Sequence, residues 1–382
     1  MAHIVPSFFP ATVYGGPTQS VYRLCQALSR QGCRIRVLTT NANGPSDTLK
    51  AAETRDVSGF PVRYCRRLAP ESISLELLGR LPEILRWADV VHLMAVYSFP
   101  VIPTLALAKV MRKPVLWSPR GALQRWEHTR HVGLKRAWEG GCRWMLPADF
   151  LFHFTSEDEK KQSLARFPGK ESLVIPNGVE IPEAPGHVPA EGQFRMVYLG
   201  RINPIKGLEN LLQACRLFDR PETGNWTLTI AGDGTSDYVA ALKALAVELG
   251  VGRRVRWLGA VSSAQKGELF ARADAAVVPS HSESFGIVIA EALAHGVPVI
   301  ASTGTPWSRL EEKRCGFWVS NHPTYLFEAM EQMRRNDRRP MGERGRAWVR
   351  QEFSWERLAA QVMDGYRTLQ TSHQLRRIGE PS

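Results

Sequence analysis

Short apolar runs alternate with helix-patterned stretches twice along this chain, and one proline- and glycine-rich break separates the two series. In the first series, residues 4–9, 34–39, 90–93, 115–118 and 150–154 read as strands, and 18–30 as a helix ending near Gly32. The break, 181–193, holds Pro182, Pro185, Gly186, Pro189 and Gly192, which is linker chemistry. Beyond it, 194–199, 226–231, 254–258, 275–278 and 299–301 read as strands, and 207–216, 236–249, 266–272 and 287–295 as helices. Such alternation predicts parallel sheets covered by helices on both faces. The expectation is α/β: two doubly wound Rossmann-like domains facing each other across a cleft, with ligands at the carboxyl ends of the strands. A last helix, 355–369, carries Leu358, Val362, Met363 and Tyr366 on one face, and the residues from Arg376 onward read as frayed. The domains are therefore drawn as 1–185, with 355–370 packing back on it, and 186–354.

Length and composition agree with this division. The chain has 382 residues, enough for two domains, and 44% of them are hydrophobic, which excludes a mainly disordered or collagen-like chain. No stretch reaches the ~18 uninterrupted apolar residues of a membrane span. The first ten residues lack a basic region and interrupt their apolar run with Pro6 and Pro10, unlike a secretory signal. A cytosolic protein is expected. Cys25, Cys33, Cys65, Cys142, Cys215 and Cys315 form no Cys-x-x-Cys pair, so reduced thiols are expected rather than a zinc site or disulfide framework. His128 and His131 have no carboxylate or cysteine at ligand spacing, and no metal site is assigned.

The net charge is +12, of which residues 1–185 carry +8. Nucleic acid, an anionic membrane and anionic small molecules are the partners such a balance fits. No nucleic-acid motif accompanies it, so a specific nucleic-acid partner is not expected.

Two constellations in the second half carry chemistry. The first is His281-Ser282-Glu283-Ser284-Phe285-Gly286-Ile287-Val288-Ile289-Ala290-Glu291-Ala292. Gly286 permits a backbone turn that bares N–H groups, and the helix starting at Ile287 aims its positive end at the same place. Glu283 lies in the loop and Glu291 about one turn inside the helix, close enough to grip two ends of one ligand. The second is Gly200-Arg201-Ile202-Asn203-Pro204-Ile205-Lys206-Gly207-Leu208, which follows a strand and enters a helix. A guanidinium fork, an ammonium and free amides in one turn suit a diphosphate. A weaker signal is the glycine turn Tyr14-Gly15-Gly16-Pro17-Thr18 after the first strand.

These residues resemble the Glu-x7-Glu pattern of retaining glycosyltransferases of family 4, which have the GT-B fold. The flanking Glu291-Ala292-Leu293-Ala294-His295-Gly296-Val297-Pro298-Val299-Ile300-Ala301 agrees, and the likeness runs from Gly15-Gly16-Pro17 to the C-terminal helix. The resemblance implies that Glu283 binds donor-sugar hydroxyls with Ser284, Phe285, Gly286 and Ile287 around it, and that Glu291 binds the nucleotide ribose. It implies that Arg201 and Lys206 stabilise the departing diphosphate, with Gly15 and Gly16 approaching it. Asn177-Gly178 and Ala231-Gly232-Asp233-Gly234 match family loops and are read as turns. Thr303-Gly304-Thr305-Pro306-Trp307 is similar to a subgroup linked to bacterial surface polysaccharides. Thr305 is placed near the donor phosphates, and Trp307 is either an acceptor platform or a packed aromatic.

Many relatives read His-x-His where this chain has His92-Leu93-Met94, so no catalytic histidine is carried over. His92 is either a cleft residue or a strand histidine satisfied in the core. Tyr97 and Arg120 complete the candidate acceptor or cleft residues. Residues 120–143 hold six Lys or Arg, with Trp126, Trp138 and Trp144 in or beside them, a pattern that fits an anionic lipid surface or a helix pair packed by its tryptophans.

The reaction implied is transfer from a nucleotide diphosphate sugar, as donor substrate and without a cofactor, to a lipid-linked saccharide acceptor. Configuration is retained and the leaving phosphate acts as base. No Asp-x-Asp motif occurs, so no metal is implied. The resulting place is the cytoplasm, peripheral on the inner face of the cytoplasmic membrane. A soluble glycoside- or disaccharide-forming enzyme is the first alternative, and a non-enzymatic basic membrane- or nucleic-acid-binding protein the second. An oxidoreductase of similar architecture would need Gly-x-Gly-x-x-Gly, which Gly15-Gly16-Pro17 does not supply.

Overall fold

The computed structural model describes residues 1–11, 15–44, 47–49, 53–70, 72–125, 131–183 and 192–379. Tyr14, the stretch 126–130 with Trp126, Glu127 and His128, and the linker residues Pro185, Gly186 and Pro189 lie outside them. The chain divides into two compact units, 1–178 with 355–382, and 179–354.

The first unit runs β1 (Ala2–Ser7), α1 (Gly16–Arg30), β2 (Arg36–Thr40), β3 (Thr54–Val57), β4 (Phe60–Cys65), α2 (Leu75–Trp87), β5 (Val91–Met94), α3 (Val101–Val110), β6 (Val115–Ser118), α4 (Val132–Trp144), β7 (Phe150–Phe154), α5 (Glu157–Leu164) and β8 (Ser172–Val174). Its sheet has the order β3-β4-β2-β1-β5-β6-β7-β8. Only β3 against β4 is antiparallel. Strands β5 and β6 are buried at every position, as expected of central parallel strands covered on both faces.

The second unit runs β9 (Gln193–Leu199), α6 (Leu208–Phe218), β10 (Asn225–Ala231), α7 (Ser236–Glu248), β11 (Val255–Gly259), α8 (Ser263–Arg272), β12 (Ala275–Val278), α9 (Ile287–Ala294), β13 (Val299–Ser302), β14 (Gly316–Val319), α10 (Pro323–Arg335) and α11 (Arg338–Glu352). Its sheet is parallel throughout, in the order β11-β10-β9-β12-β13-β14. One face packs Leu208, Leu211 and Leu212 of α6 with Leu326 and Met330 of α10, and the other packs Ile289 and Leu293 of α9 with Trp348 and Val349 of α11.

The chain then returns to the first unit as α12 (Trp355–Gly379). Leu358, Ala359, Val362, Tyr366 and Leu369 bury one stripe of it against the face that also holds α1. The helix does not fray at Arg376. Asp149 lies 2.6 Å from His373 Nδ1 and pairs with Arg376 Nε at 2.9 Å, so polar contacts hold the last turns after the apolar stripe has ended. Gly178, at the seam of the first unit, has a tertiary reason rather than a turn: a Cβ there would lie 2.4 Å from the Trp355 ring. Of the six free cysteines five are buried and Cys33 is half-buried. Among the described residues no helix is long and apolar enough to cross a membrane, and no group of three or more His, Cys, Asp or Glu could hold a metal ion.

Candidate active site

The strand order of the second unit sets its site. β9 is flanked by β10 and β12, so the loops after these three strands share one edge of the sheet. Backbone joins them. Gly200 N donates to Ala231 O at 3.0 Å and Ile202 N to Asp233 O at 2.7 Å. A Cβ on Gly232 would lie 1.8 Å from Gly200 O, so this glycine is required by the approach of two loops rather than by a simple turn. On the other side His281 N donates to Ile205 O at 2.8 Å, and Glu283 N to Gly304 O at 2.9 Å.

This scaffold brings Lys206 and Glu283 together. Lys206 Nζ lies 2.5 Å from Glu283 Oε1, and Ser280 Oγ donates to the same oxygen at 2.9 Å. Both charged side chains are 15% exposed, so the pair is shielded but reachable. Glu291, on α9, is organised in the same way: its Oε1 lies 2.5 Å from Lys266 Nζ on α8. In each carboxylate one oxygen is held by an ammonium, and Oε2 has no partner among the described residues. A carboxylate so held can accept a hydrogen bond from a hydroxyl in a fixed direction. Arg201 is exposed and its guanidinium has no partner among the described residues. Gly286, at φ +75, precedes α9; no side chain caps the amides of that helix, and Ile289 N donates to Gly286 O at 2.9 Å, which leaves the amides before Ile289 for an anion or hydroxyl. Ser284 and Ile287 flank this turn half-buried, while the Phe285 ring is buried.

Two residues of this unit with candidate ligand roles are buried. Trp307 is a packed aromatic: it is 2% exposed, its Nε1 donates to Phe285 O at 2.5 Å, and its ring contacts Phe285, Trp348 and Phe353. It packs against the Phe285-Gly286 turn, which is the packed-aromatic alternative. Thr305 is also buried, with its hydroxyl donated to Ser302 O at 2.8 Å, so its side chain is unavailable to donor phosphates.

In the first unit Gly15 immediately precedes α1 at φ +69, ψ −140, a conformation open to glycine, and no side chain caps that helix. Gly16 is its first residue. His92 is not a ligand contact. It is wholly buried, with Nδ1 2.7 Å from Tyr366 Oη and Nε2 2.7 Å from Ser118 Oγ. Burial, with His3, His153 and Arg120 nearby, holds its pKa well below the ordinary value. Tyr97 donates its hydroxyl to Glu139, which Arg125 also binds at 2.6 Å, so that hydroxyl is engaged within the unit. Arg120 has a left-handed backbone, φ +54, and donates to Asn177 Oδ1. Its Nε is buried with no partner among the described residues, and burial lowers its pKa to about 10, opposed by Glu159.

Sequence reasoning missed Lys266 and Ser280. Nothing in the sequence distinguishes Lys266 from any cation in a first helical turn. Only the packing of α8 beside α9 sets it on Glu291.

Two family models match the two halves of the chain. The family model "Glycosyl transferases group 1" matches residues 182–348, and "Glycosyltransferase Family 4" matches 14–182. Over 259 residues the chain is 30% identical to D-inositol 3-phosphate glycosyltransferase of Streptomyces avermitilis, covering 62% of this chain and 55% of that protein. The chain thus spans about half the length of such curated relatives. It is 27% identical over 391 residues to phosphatidyl-myo-inositol mannosyltransferase of Mycobacterium leprae, covering 94% of this chain and 95% of that one. The solved structure of Anabaena HepE with UDP-glucose superposes with a TM-score of 0.74 at 18% identity, covering 96% of this chain and 99% of that chain, a likeness of fold. The two parallel sheets with their helices have the GT-B architecture.

Proposed function

The chain belongs to the glycosyltransferases, with the family 4 and group 1 models matching its first and second halves, and from that premise we propose that it moves a sugar from a nucleotide diphosphate sugar, with retention of configuration, to a hydroxyl of a lipid-linked saccharide in bacterial polysaccharide or lipopolysaccharide assembly. The observation that carries the donor reading is the pair of lysine-held carboxylates, Glu283 and Glu291, on either side of the Gly286 turn, with Arg201 exposed on the loop that also carries Lys206. A nucleotide sugar offers hydroxyls at both ends and a diphosphate between them, which matches two acceptors with cations and amides between.

Each residue then has a task. Glu283 Oε2 accepts from a sugar hydroxyl and Glu291 Oε2 from the ribose. The amides at Gly286 and Ile287, with Arg201 and Lys206, take the charge that grows on the diphosphate as the anomeric C–O bond breaks. The bonding electrons leave with the phosphate oxygen, the acceptor oxygen bonds to the same face of the anomeric carbon, and the acceptor proton passes to the departing phosphate. Arg201 and Lys206 supply the positive charge this step needs, so the reading asks for neither a divalent ion nor a cofactor.

The lipid-linked acceptor is supported by a surface of the first unit. α4 exposes Leu134 and Trp144, and α3 ends with an exposed Val110. Lys109 Nζ lies 5.7 Å from the Trp144 ring centroid, and Arg136 and Arg143 are exposed beside them. Exposed apolar side chains on helices that also expose cations suit an anionic bilayer surface, here the inner face of the cytoplasmic membrane. Trp138 is not part of it, because its Nε1 donates to Val96 O at 2.8 Å. The mannosyltransferase named above acts, by its name, on a phosphatidylinositol. Likeness to the inositol phosphate enzyme favours a second reading, a small soluble acceptor.

Turnover of UDP-, GDP- and ADP-sugars by wild type and Glu283→Ala, with and without anionic vesicles carrying membrane-extracted saccharide lipids, tests the proposal. Glu283-dependent transfer to the lipid fraction is expected. Transfer only to soluble acceptors would favour the second reading, and Glu283-independent turnover would overturn the donor site.

A further inference from the structure

Glu291 is a long side chain with three rotatable bonds on a helix surface, and by itself it would sample several directions. Its direction is set from a neighbouring helix. Lys266 Nζ lies 2.5 Å from Glu291 Oε1, with the lysine side chain 30% and the glutamate 19% exposed. Lys266 is itself held. Ser262 and Gln265 form a reciprocal capping box around the first turn of α8, and Lys266 N donates to Ser262 O at 2.9 Å within that turn. The two helices are locked side by side by the rings of Phe270 and His295, 5.0 Å apart between centroids, and His295 Nδ1 lies 2.8 Å from the carbonyl oxygen of Glu291 itself.

We infer that Lys266 is a positioning residue of the donor site, which by holding Oε1 of Glu291 aims Oε2 at the ribose hydroxyls of the bound nucleotide. The inference rests on the donor reading of Glu291 and adds to it a residue of α8 outside the glutamate pattern. The arrangement repeats that of Lys206 and Glu283, so each end of the donor is met by a carboxylate with one oxygen fixed. A part-exposed ion pair adds little to stability, which leaves orientation as what this one provides.

The test compares a nucleoside diphosphate with its 2′,3′-dideoxy counterpart by calorimetry, using UDP, GDP and ADP as probes. The proteins are wild type, Lys266→Met, Lys266→Arg, Glu291→Ala and the Lys266→Met/Glu291→Ala double variant, each checked by thermal melting. Wild type should prefer the ribose form by about tenfold or more, the worth of a hydrogen bond to a charged group. Glu291→Ala should bring that ratio to about one. Lys266→Met should lower the ratio severalfold while leaving dideoxy affinity unchanged, Lys266→Arg should restore most of it, and the double variant should bind no worse than Glu291→Ala. An unchanged ratio in Lys266→Met, or equal loss of both nucleotides, overturns the inference while the donor reading stands. An unchanged ratio in Glu291→Ala, or no nucleotide bound by wild type, overturns both.

Discussion

Tyr366 on the C-terminal helix and His92 on a central strand, 274 residues apart in the chain, meet with Tyr366 Oη 2.7 Å from His92 Nδ1. The contact is one link of a buried chain in which each proton has one consistent place. Ile175 O accepts from His153 Nε2 at 2.9 Å, so His153 Nδ1 accepts from Ser118 Oγ at 2.8 Å. Ser118 Oγ then accepts from His92 Nε2, and His92 Nδ1 from Tyr366, whose oxygen accepts from His3 Nε2 at 3.2 Å. The chain ends with Cys25 Sγ donating to His3 Nδ1 at 3.5 Å. Removing the Tyr366 hydroxyl strands a donor and an acceptor in the core. Tyr366→Phe should lose about 2–4 kcal/mol of stability in urea unfolding, with nucleotide affinity unchanged.

The same chain predicts acid sensitivity. Burial lowers the pKa of His3 and of His153 to about 3, and that of His92 well below its ordinary value. The unfolded chain takes up these protons near pH 6.5 while the folded chain does not. Their contribution is therefore complete above about pH 6.5 and is lost as pH falls toward 3, at about 1.4 kcal/mol per pH unit for each histidine. Urea midpoints measured from pH 7.5 to 5 should fall steadily below pH 6.5, and His153→Gln should flatten that slope.

Arg201 separates catalysis from stability. Its exposed guanidinium makes no hydrogen bond or ion pair among the described residues, so Arg201→Ala should leave the melting temperature unchanged. Donor turnover should fall about 10²–10³-fold if the guanidinium meets the leaving diphosphate. Steady-state rates beside thermal melts decide it, and undiminished turnover would remove Arg201 from the mechanism.

Trp307 should behave in the opposite way. Its ring is enclosed by Phe285, Trp348 and Phe353, so Trp307→Ala should cost about 3–5 kcal/mol of stability. Trp307→Phe keeps most of the packing and should leave acceptor KM unchanged. A selective rise in acceptor KM with normal stability would restore a ligand role.

Gly207 joins the two loops that present Lys206 and Glu283. It sits at φ +64, and a Cβ would lie 2.3 Å from Pro279 O and 2.5 Å from Asn321 Nδ2. Gly207→Ala should destabilise the second unit by about 2 kcal/mol or more and weaken nucleotide binding together with it. Calorimetric binding and urea unfolding of the same preparation measure both effects.

Much of the architecture was legible locally. Strands β6, β7 and β12 fall on the residues that their apolar runs mark, because a strand covered on both faces needs an unbroken apolar run. Boundaries elsewhere moved by a few residues, since helix ends answer to capping and packing. The hairpin of β3 and β4 was not read, because β3 is mostly exposed and carries no apolar alternation. α10 and α11 were also not read: arginines crowd α11, whose buried residues include Gly342 and Gly345 where it meets other elements closely.

The sequence by itself determined the parallel strands at the centre of each sheet, the glycine turn before α9, and Arg201, Lys206, Glu283 and Glu291 as the charged candidates for the donor site. These depend on short-range rules: apolar runs, glycine conformations and the spacing of residues along one loop or helix. Tertiary structure alone decided which partner each charge meets and which polar residues are withdrawn from ligands. His92 and Trp307 are chemically able to bind a substrate, and only burial beneath other elements removes them. Lys266 is an ordinary surface cation in the sequence, and only the packing of α8 against α9 sets it on Glu291. A residue type states what bonds a side chain can make. The fold decides which of those bonds are already made and which remain open to a ligand.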